Sequence, residues 1–246
     1  MNLLIDLGNS RLKWAIEIDA QIGPVTQMDY RQADFMHHIN LLWQLVESPN
    51  TVAIASVSEL GVFSGLLTLC QSLWPQAKTL VPKSTQCAYG VKNAYIQAEK
   101  LGVDRWLAMI AAHVHYPGDK CVVDCGTAIT IDALQASGKH LGGLICPGLN
   151  LMKQALASNT ADLTFNAEPY QTNLAIATKP AIANGVLLAA TGLVEAAIRQ
   201  LDDSYQLIFT GGDAMTVAEA VSGSVLLDQN LVLKGLSVFC QGAQTA

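Results

Sequence analysis

Two short stretches of this chain join an acid to a glycine and small polar residues where an apolar run ends: "LLIDLGNSRLKWAI" at 3–16 and "CVVDCGTAITIDAL" at 121–134. Asp6-Leu7-Gly8-Asn9-Ser10 aligns with Asp124-Cys125-Gly126-Thr127-Ala128, 118 residues later (124 minus 6). One copy alone reads equally well as a hairpin turn, since Asp, Gly, Asn and Ser all form turns. Two copies point to a nucleoside triphosphate. Glycine lets the backbone approach phosphate oxygens, turn N–H groups and small hydroxyls donate to them, and a carboxylate holds a hydrated cation nearby. Two such turns facing each other would clamp the phosphates from opposite sides. A third stretch, "IFTGGDA" at 208–214, runs into Gly211 and Gly212. These would let adenine or ribose lie flat on backbone, or would simply make a tight strand-to-helix junction. Neither GxxxxGK[ST] nor GxGxxG occurs.

"GVDRW" at 102–106 sets Asp104 beside Arg105. On residue types alone the pair reads as a helix N-terminal acid with a surface ion pair. It also suits, as the second reading, a carboxylate that orients a hydroxyl, next to a guanidinium matched to an anionic acceptor. Lys13 either contacts phosphate or is solvated.

These residues need a scaffold of strands and turns. Residues 3–7 and 11–18 read as strands joined by the first turn, with a third strand near 22–29. Helix, strand, helix and strand follow at about 34–47, 51–57, 59–73 and 77–81, which is βαβ alternation and favours a mixed sheet with helices on its faces. One helix is expected over 97–116, ending before Pro117. The second strand-turn-strand at 120–134 extends to a further strand at 140–148, with helices at about 148–157 and 173–201. A strand at 206–212 and a helix complete the pattern. The repeat divides the chain into halves at 1–117 and 118–246.

With 246 residues, 51% of them hydrophobic, the chain can bury a sizeable core. The net charge of -6 and the 14 scattered basic residues supply no nucleic-acid footprint. The six cysteines form no CxxC pair, and Cys121 and Cys125, on one strand face, read as small buried apolar residues. Together with an opening strand that leaves no room for a signal peptide, this predicts a cytoplasmic protein. The apolar stretch 181–198 holds Asn184 and Glu195 and reads as a buried or interface helix rather than a membrane span.

The combination of DLGNSRLKW at 6–14, GVDRW at 102–106, DCGTAITID at 124–132, GGLICPGLNLM at 142–152, TKPAIANG at 178–185 and FTGGDA at 209–214 resembles the type III pantothenate kinases. These belong to the acetate kinase, sugar kinase and actin superfamily. The resemblance implies an α/β, duplicated ribonuclease H-like (actin-like ATPase) fold, with mixed sheets flanked by helices. It also implies a homodimer, and transfer of the γ-phosphoryl group of ATP to the primary hydroxyl of pantothenate. By resemblance, Asp6, Leu7, Gly8, Asn9, Ser10, Arg11, Leu12 and Lys13 form the first phosphate loop, with Asp6 near Mg2+ through water. Asp104 is the base. Asp124 holds K+ or NH4+, Thr127 contacts ATP, and Gly211 and Gly212 lie against the nucleotide. Tyr89, Gly102, Val103, Asp104, Arg105 and Thr178 form the pantothenate pocket. Two alternatives use the same phosphate loops: a sugar or polyphosphate kinase or phosphatase of the superfamily, and an ATP-binding regulatory protein without turnover.

Overall fold

The computed structural model describes residues 1–157, 168–202 and 204–242. The chain forms two compact units, Met1–Val114 with Asn230–Ala246, and His115–Gln229. The sequence halves of 1–117 and 118–246 follow the repeat; in the structure the C-terminal segment from Asn230 counts with the first unit.

In the first unit, β1 (Asn2–Leu7), β2 (Arg11–Ile18) and β3 (Gln21–Ile22) run as an antiparallel meander, and β4 (Thr26–Asp29) also pairs with β2. The single strand expected over 22–29 is split at Gly23-Pro24, where proline removes a ladder donor. After α1 (Phe35–Trp43), β5 (Thr51–Ser56) lies parallel to β1; after α2 (Leu60–Leu73), β6 (Lys78–Leu80) lies parallel to β5. Helix α1 buries Phe35, Ile39 and Trp43 at four-residue spacing, and α2 buries Leu66 and Cys70 in the same way. Both stripes close over Leu3, Ile5, Leu7 and Leu12 of the sheet. A small ribbon, β7 (Cys87–Ala88) with β8 (Val91–Lys92), precedes a 3-10 turn at Ala98–Lys100 and then α3 (Val103–His115). The continuous helix expected over 97–116 is broken because Leu101 is extended, at φ -69° and ψ 132°. That break makes Asp104 a first-turn residue.

The second unit repeats the plan. Strands β9 (Lys120–Cys125), β10 (Ala128–Leu134) and β11 (His140–Pro147) form an antiparallel meander, followed by α4 (Leu149–Ala157) and α5 (Thr178–Ile198). Strand β12 (Gln206–Thr210) is parallel to β9; α6 (Ala214–Ala218) leads to β13 (Val225–Leu227), parallel to β12. The two strand orders, β3-β2-β1-β5-β6 and β11-β10-β9-β12-β13, are the same arrangement twice. Residues 173–177, expected in the helix over 173–201, lie outside it. Ala177 is extended, and Pro180, which has no N–H, falls in the first turn, where that donor has no acceptor. By length and composition α5 could cross a membrane, but Val186, Ala190, Val194 and Ala197 pack it onto the second unit's core.

The terminal helix α7 (Leu231–Gly242) returns to the first unit and packs on β1 and β5. A Cβ at Gly235 would run into the Leu107 carbonyl oxygen, so glycine is what lets α7 lie this close to α3. At the far end of the hairpin, Glu17 of β2 is buried and accepts hydrogen bonds from Asn2 Nδ2 at 2.7 Å and from the Ser237 hydroxyl of α7.

Candidate active site

The first turn is closed by Gly8, whose N–H donates to the Arg11 carbonyl at 3.0 Å. Asp6 stands directly opposite Lys13 across the β1–β2 pair, so both side chains leave the same face of the sheet. Glu17 leaves that face too, at the end covered by α7. Leu7 and Leu12 are fully buried, so only their backbones are available to a ligand, while Asn9 and Arg11 are exposed. Arg11 is opposite Asp29 on β4, and Asp29 accepts from Arg31 through Nε at 3.0 Å and Nη2 at 2.8 Å. Those Arg31 bonds pull the exposed Asp29 carboxyl down to about 2.

The acid of GVDR sits at the start of α3. Asp104 Oδ1 accepts the Arg105 N–H at 2.8 Å, satisfying one of the donors a helix N-terminus leaves over. Arg105 is only 5% exposed, and its Nη1 donates to the Tyr95 phenol oxygen at 2.8 Å. The guanidinium carbon lies 5.6 Å from the centroid of the Tyr95 ring, within cation–π range.

Tyr89 is elsewhere. It forms the tip of the β7–β8 ribbon with a left-handed backbone at φ 48°, and its ring packs on Phe239 of α7 at 4.6 Å between centroids. Burial, then the Cys240 thiol, raise its phenol above the usual tyrosine range. Its neighbour Gly90 lies against the His113 imidazole, near the opposite end of α3 from Asp104. Nine helical positions separate Asp104 from His113, about 13 Å along the axis at the ordinary helical rise. The structure therefore brings Gly102, Val103, Asp104 and Arg105 together with Tyr95, and does not bring Tyr89 to them. Tyr95 is the second tyrosine of "AYGVKNAY"; nothing in that string says which tyrosine faces the helix.

The second turn is the tighter of the two. Leu7 pairs with Leu12, leaving four residues between them, whereas Cys125 pairs with Ile129, leaving three. Gly126 N–H donates to the Ala128 carbonyl at 3.0 Å, and the Thr127 carbonyl accepts from Gly148 N–H at 2.8 Å. Asp124 lies between Thr130 of β10 and Thr210 of β12. Gly211 follows at φ 94°, and a Cβ there would run into Asp124 Oδ1 and the Cys125 carbonyl. Asp213 N–H ties the same segment down by donating to the Cys125 carbonyl at 2.9 Å. Asp124, Thr127, Gly211 and Gly212 are thus gathered on one edge of the second unit.

Thr178, exposed at the start of α5, borders an open groove of about 920 Å³ with Pro147, Met152, Leu156, Ile176 and Ile182. Asn184 anchors the approach to this groove, accepting from Gln171 N–H at 2.9 Å and donating to the Asn173 carbonyl at 2.9 Å. Among the described residues no group of three or more His, Cys, Asp or Glu side chains could hold a metal ion.

A sequence model of the type III pantothenate kinase family matches residues 2–200. The type III pantothenate kinase of Nitrosococcus oceani is 35% identical over 96% of this chain and 92% of its own length. Among solved structures, one described as a Baf family transcriptional activator from Campylobacter jejuni has a TM-score of 0.65 at 22% identity, covering 99% of this chain and 100% of that one. The archaeal actin homologue Ta0583 has a TM-score of 0.50 at 12% identity over 98% and 99% of the two chains. These structural likenesses concern the fold, which is the actin-like ATPase and sugar kinase type.

Proposed function

The chain belongs to the type III pantothenate kinase family, and on that premise we propose how its own residues carry out the reaction. The protein is an ATP-dependent pantothenate kinase: it transfers the γ-phosphoryl group to the primary hydroxyl of pantothenate, giving 4'-phosphopantothenate, the first step of coenzyme A synthesis.

The observation that carries the residue assignment is the first turn of α3, where the partly exposed Asp104 is followed by Arg105, buried and bonded through its guanidinium to the Tyr95 phenol. Phosphoryl transfer asks mainly for positioning and charge neutralisation. Asp104 orients the acceptor hydroxyl and takes its proton as the new O–P bond forms and ADP leaves. Arg105 holds the pantothenate carboxylate, which a guanidinium fork matches geometrically. Tyr95 fixes that fork, in the part first assigned to Tyr89.

On the first unit, the turn Asp6 to Lys13 offers N–H groups and the Ser10 hydroxyl to phosphate. Asp6 would hold Mg2+ there, and the ion would supply charge neutralisation. On the second unit, Asp124 is suited to K+ or NH4+, Thr127 to phosphate, and Gly211 and Gly212 to the nucleotide. Thr178, on the second unit, is suited to binding the acceptor. The apolar groove beside it, with Leu174 and Ile176 almost wholly exposed, supports a homodimer. The free cysteines fit a cytoplasmic setting.

The test is ADP release from ATP with Mg2+ and K+, with and without pantothenate. Pantothenate-dependent release is expected, with Asp104→Asn slower by about 10²- to 10⁴-fold while still binding ATP. No pantothenate-dependent release, with ATP still bound, would favour a non-turnover ATP-binding protein or another acceptor. An unimpaired Asp104→Asn would remove Asp104 as the base.

A further inference from the structure

Asn93 follows the β7–β8 ribbon and is only 3% exposed. Its side chain is fully engaged: Oδ1 accepts the Tyr95 N–H at 3.0 Å, while Nδ2 donates to the Ala98 carbonyl at 3.2 Å and to the Thr85 carbonyl at 3.3 Å. Its backbone N–H donates to the Gln86 carbonyl at 2.9 Å, and its carbonyl accepts from Gln86 Nε2 at 3.0 Å. One residue thus joins the strand entering the ribbon, the strand leaving it and the 3-10 turn before α3. The bond to Tyr95 N–H is an Asx turn, which sets the backbone of the residue two positions on. Tyr95 in turn receives the Arg105 guanidinium.

We propose that Asn93 is a positioning residue for acceptor binding, fixing the Tyr95 phenol and, through it, the Arg105 fork that receives the acceptor's carboxylate. The inference rests on the reading of Arg105 as the carboxylate-binding residue. Neither aspartate nor alanine meets this geometry. Aspartate keeps the acceptor for Tyr95 N–H but turns an anion on the Ala98 and Thr85 carbonyl oxygens, and alanine makes none of the three bonds. Asn93 acts on orientation rather than on chemistry, so its loss raises the pantothenate KM and leaves kcat and the ATP KM nearly unchanged.

The experiment is a double-mutant cycle of Asn93→Ala and Tyr95→Phe, read as pantothenate KM, kcat, ATP KM and thermal midpoint, with Asn93→Asp and Arg105→Gln measured alongside. Asn93→Ala is expected to raise the pantothenate KM by about tenfold, roughly the weight of one bond to a charged group. In the Tyr95→Phe background, where the phenol oxygen is gone, that rise should shrink to about twofold or less. A full tenfold rise in both backgrounds would overturn the proposal, because Asn93 would then act by another route. So would equal losses in kcat and both KM values, or failure of both Asn93 variants to fold, since each marks Asn93 as a residue of the fold alone. Arg105→Gln separates the premise: an unchanged pantothenate KM there removes the carboxylate reading itself. A raised KM in Arg105→Gln with none in the Asn93 variants leaves that reading intact and removes only the role of Asn93.

Discussion

Arg105 donates to the phenol oxygen of Tyr95 at 2.8 Å, and the two residues are ten positions apart on either side of a break in the chain's helical path. The bond holds the guanidinium of a residue in the first turn of α3, whose backbone N–H donates to Asp104 Oδ1.

The two tyrosines of "AYGVKNAY" should therefore behave differently. Tyr95→Phe is expected to raise the pantothenate KM by about three- to tenfold through loss of one hydrogen bond to Arg105. Tyr89→Phe keeps the packing on Phe239 and should leave both KM values within about twofold, since its ring is held on α7. Steady-state kinetics over pantothenate concentration distinguish them, and the reverse ranking would return the acceptor to Tyr89.

Gly211→Ala places a methyl group against Asp124 Oδ1 at a backbone angle that L-residues avoid. Strain of this kind costs about 1–3 kcal/mol. The expected result is a lower thermal midpoint together with a higher K+ concentration for half-maximal activity. A shift in the midpoint alone would separate Gly211 from the cation; full activity of the unaltered protein in sodium-only buffer would remove the monovalent cation from Asp124.

The fold's two halves are legible in the sequence because the turn motif repeats, and each repeat starts the same five-strand arrangement. Asp6 and Asp124 are marked by their own type and spacing, and the structure puts each at the strand end the motif implies. What local pattern does not carry is pairing at long range. Leu101 breaks the helix over 97–116 through its backbone angle, without a proline to announce it. Strand β13 is three residues long, and α7 is apolar in a way that suits either unit. The choice between Tyr89 and Tyr95 depends on which end of α3 each lies near, and no periodicity encodes that.

Asp29 supplies a pH test close to the first turn. Its bonds from Arg31 lower the carboxyl from 3.8 to about 2. A lowered folded-state value means that the contribution to stability is present above about 3.9, the unfolded value, and is lost as pH falls toward 2. An NMR titration of Asp29 should show a midpoint near 2, moving back toward 3.8 in Arg31→Ala. A midpoint near 3.8 in the unaltered protein would mean that solvent dissolves this exposed pair.

Thiol labelling at pH 8 should give one fast phase. Cys87 is exposed, whereas burial pushes the thiols of Cys70, Cys121 and Cys240 up to about 12 and that of Cys125 higher still. Only the thiolate reacts, so these four should label on unfolding, with the half-buried Cys146 between the extremes. Cys87→Ser should abolish the fast phase; its survival would mean that a core thiol is reached by local opening.

The return of α7 to the first unit has a consequence for synthesis. A ribosome that has released residues 1–114 has yet to make the helix that covers β1 and β5. At ordinary elongation rates the wait is on the order of ten seconds. During it the nascent first unit lacks the helix that covers these strands, and the Glu17 carboxylate lacks the Ser237 hydroxyl that donates to it. Only once Leu231–Gly242 has been made does that unit close, so a chain cut before this helix would spoil the part of the protein made first.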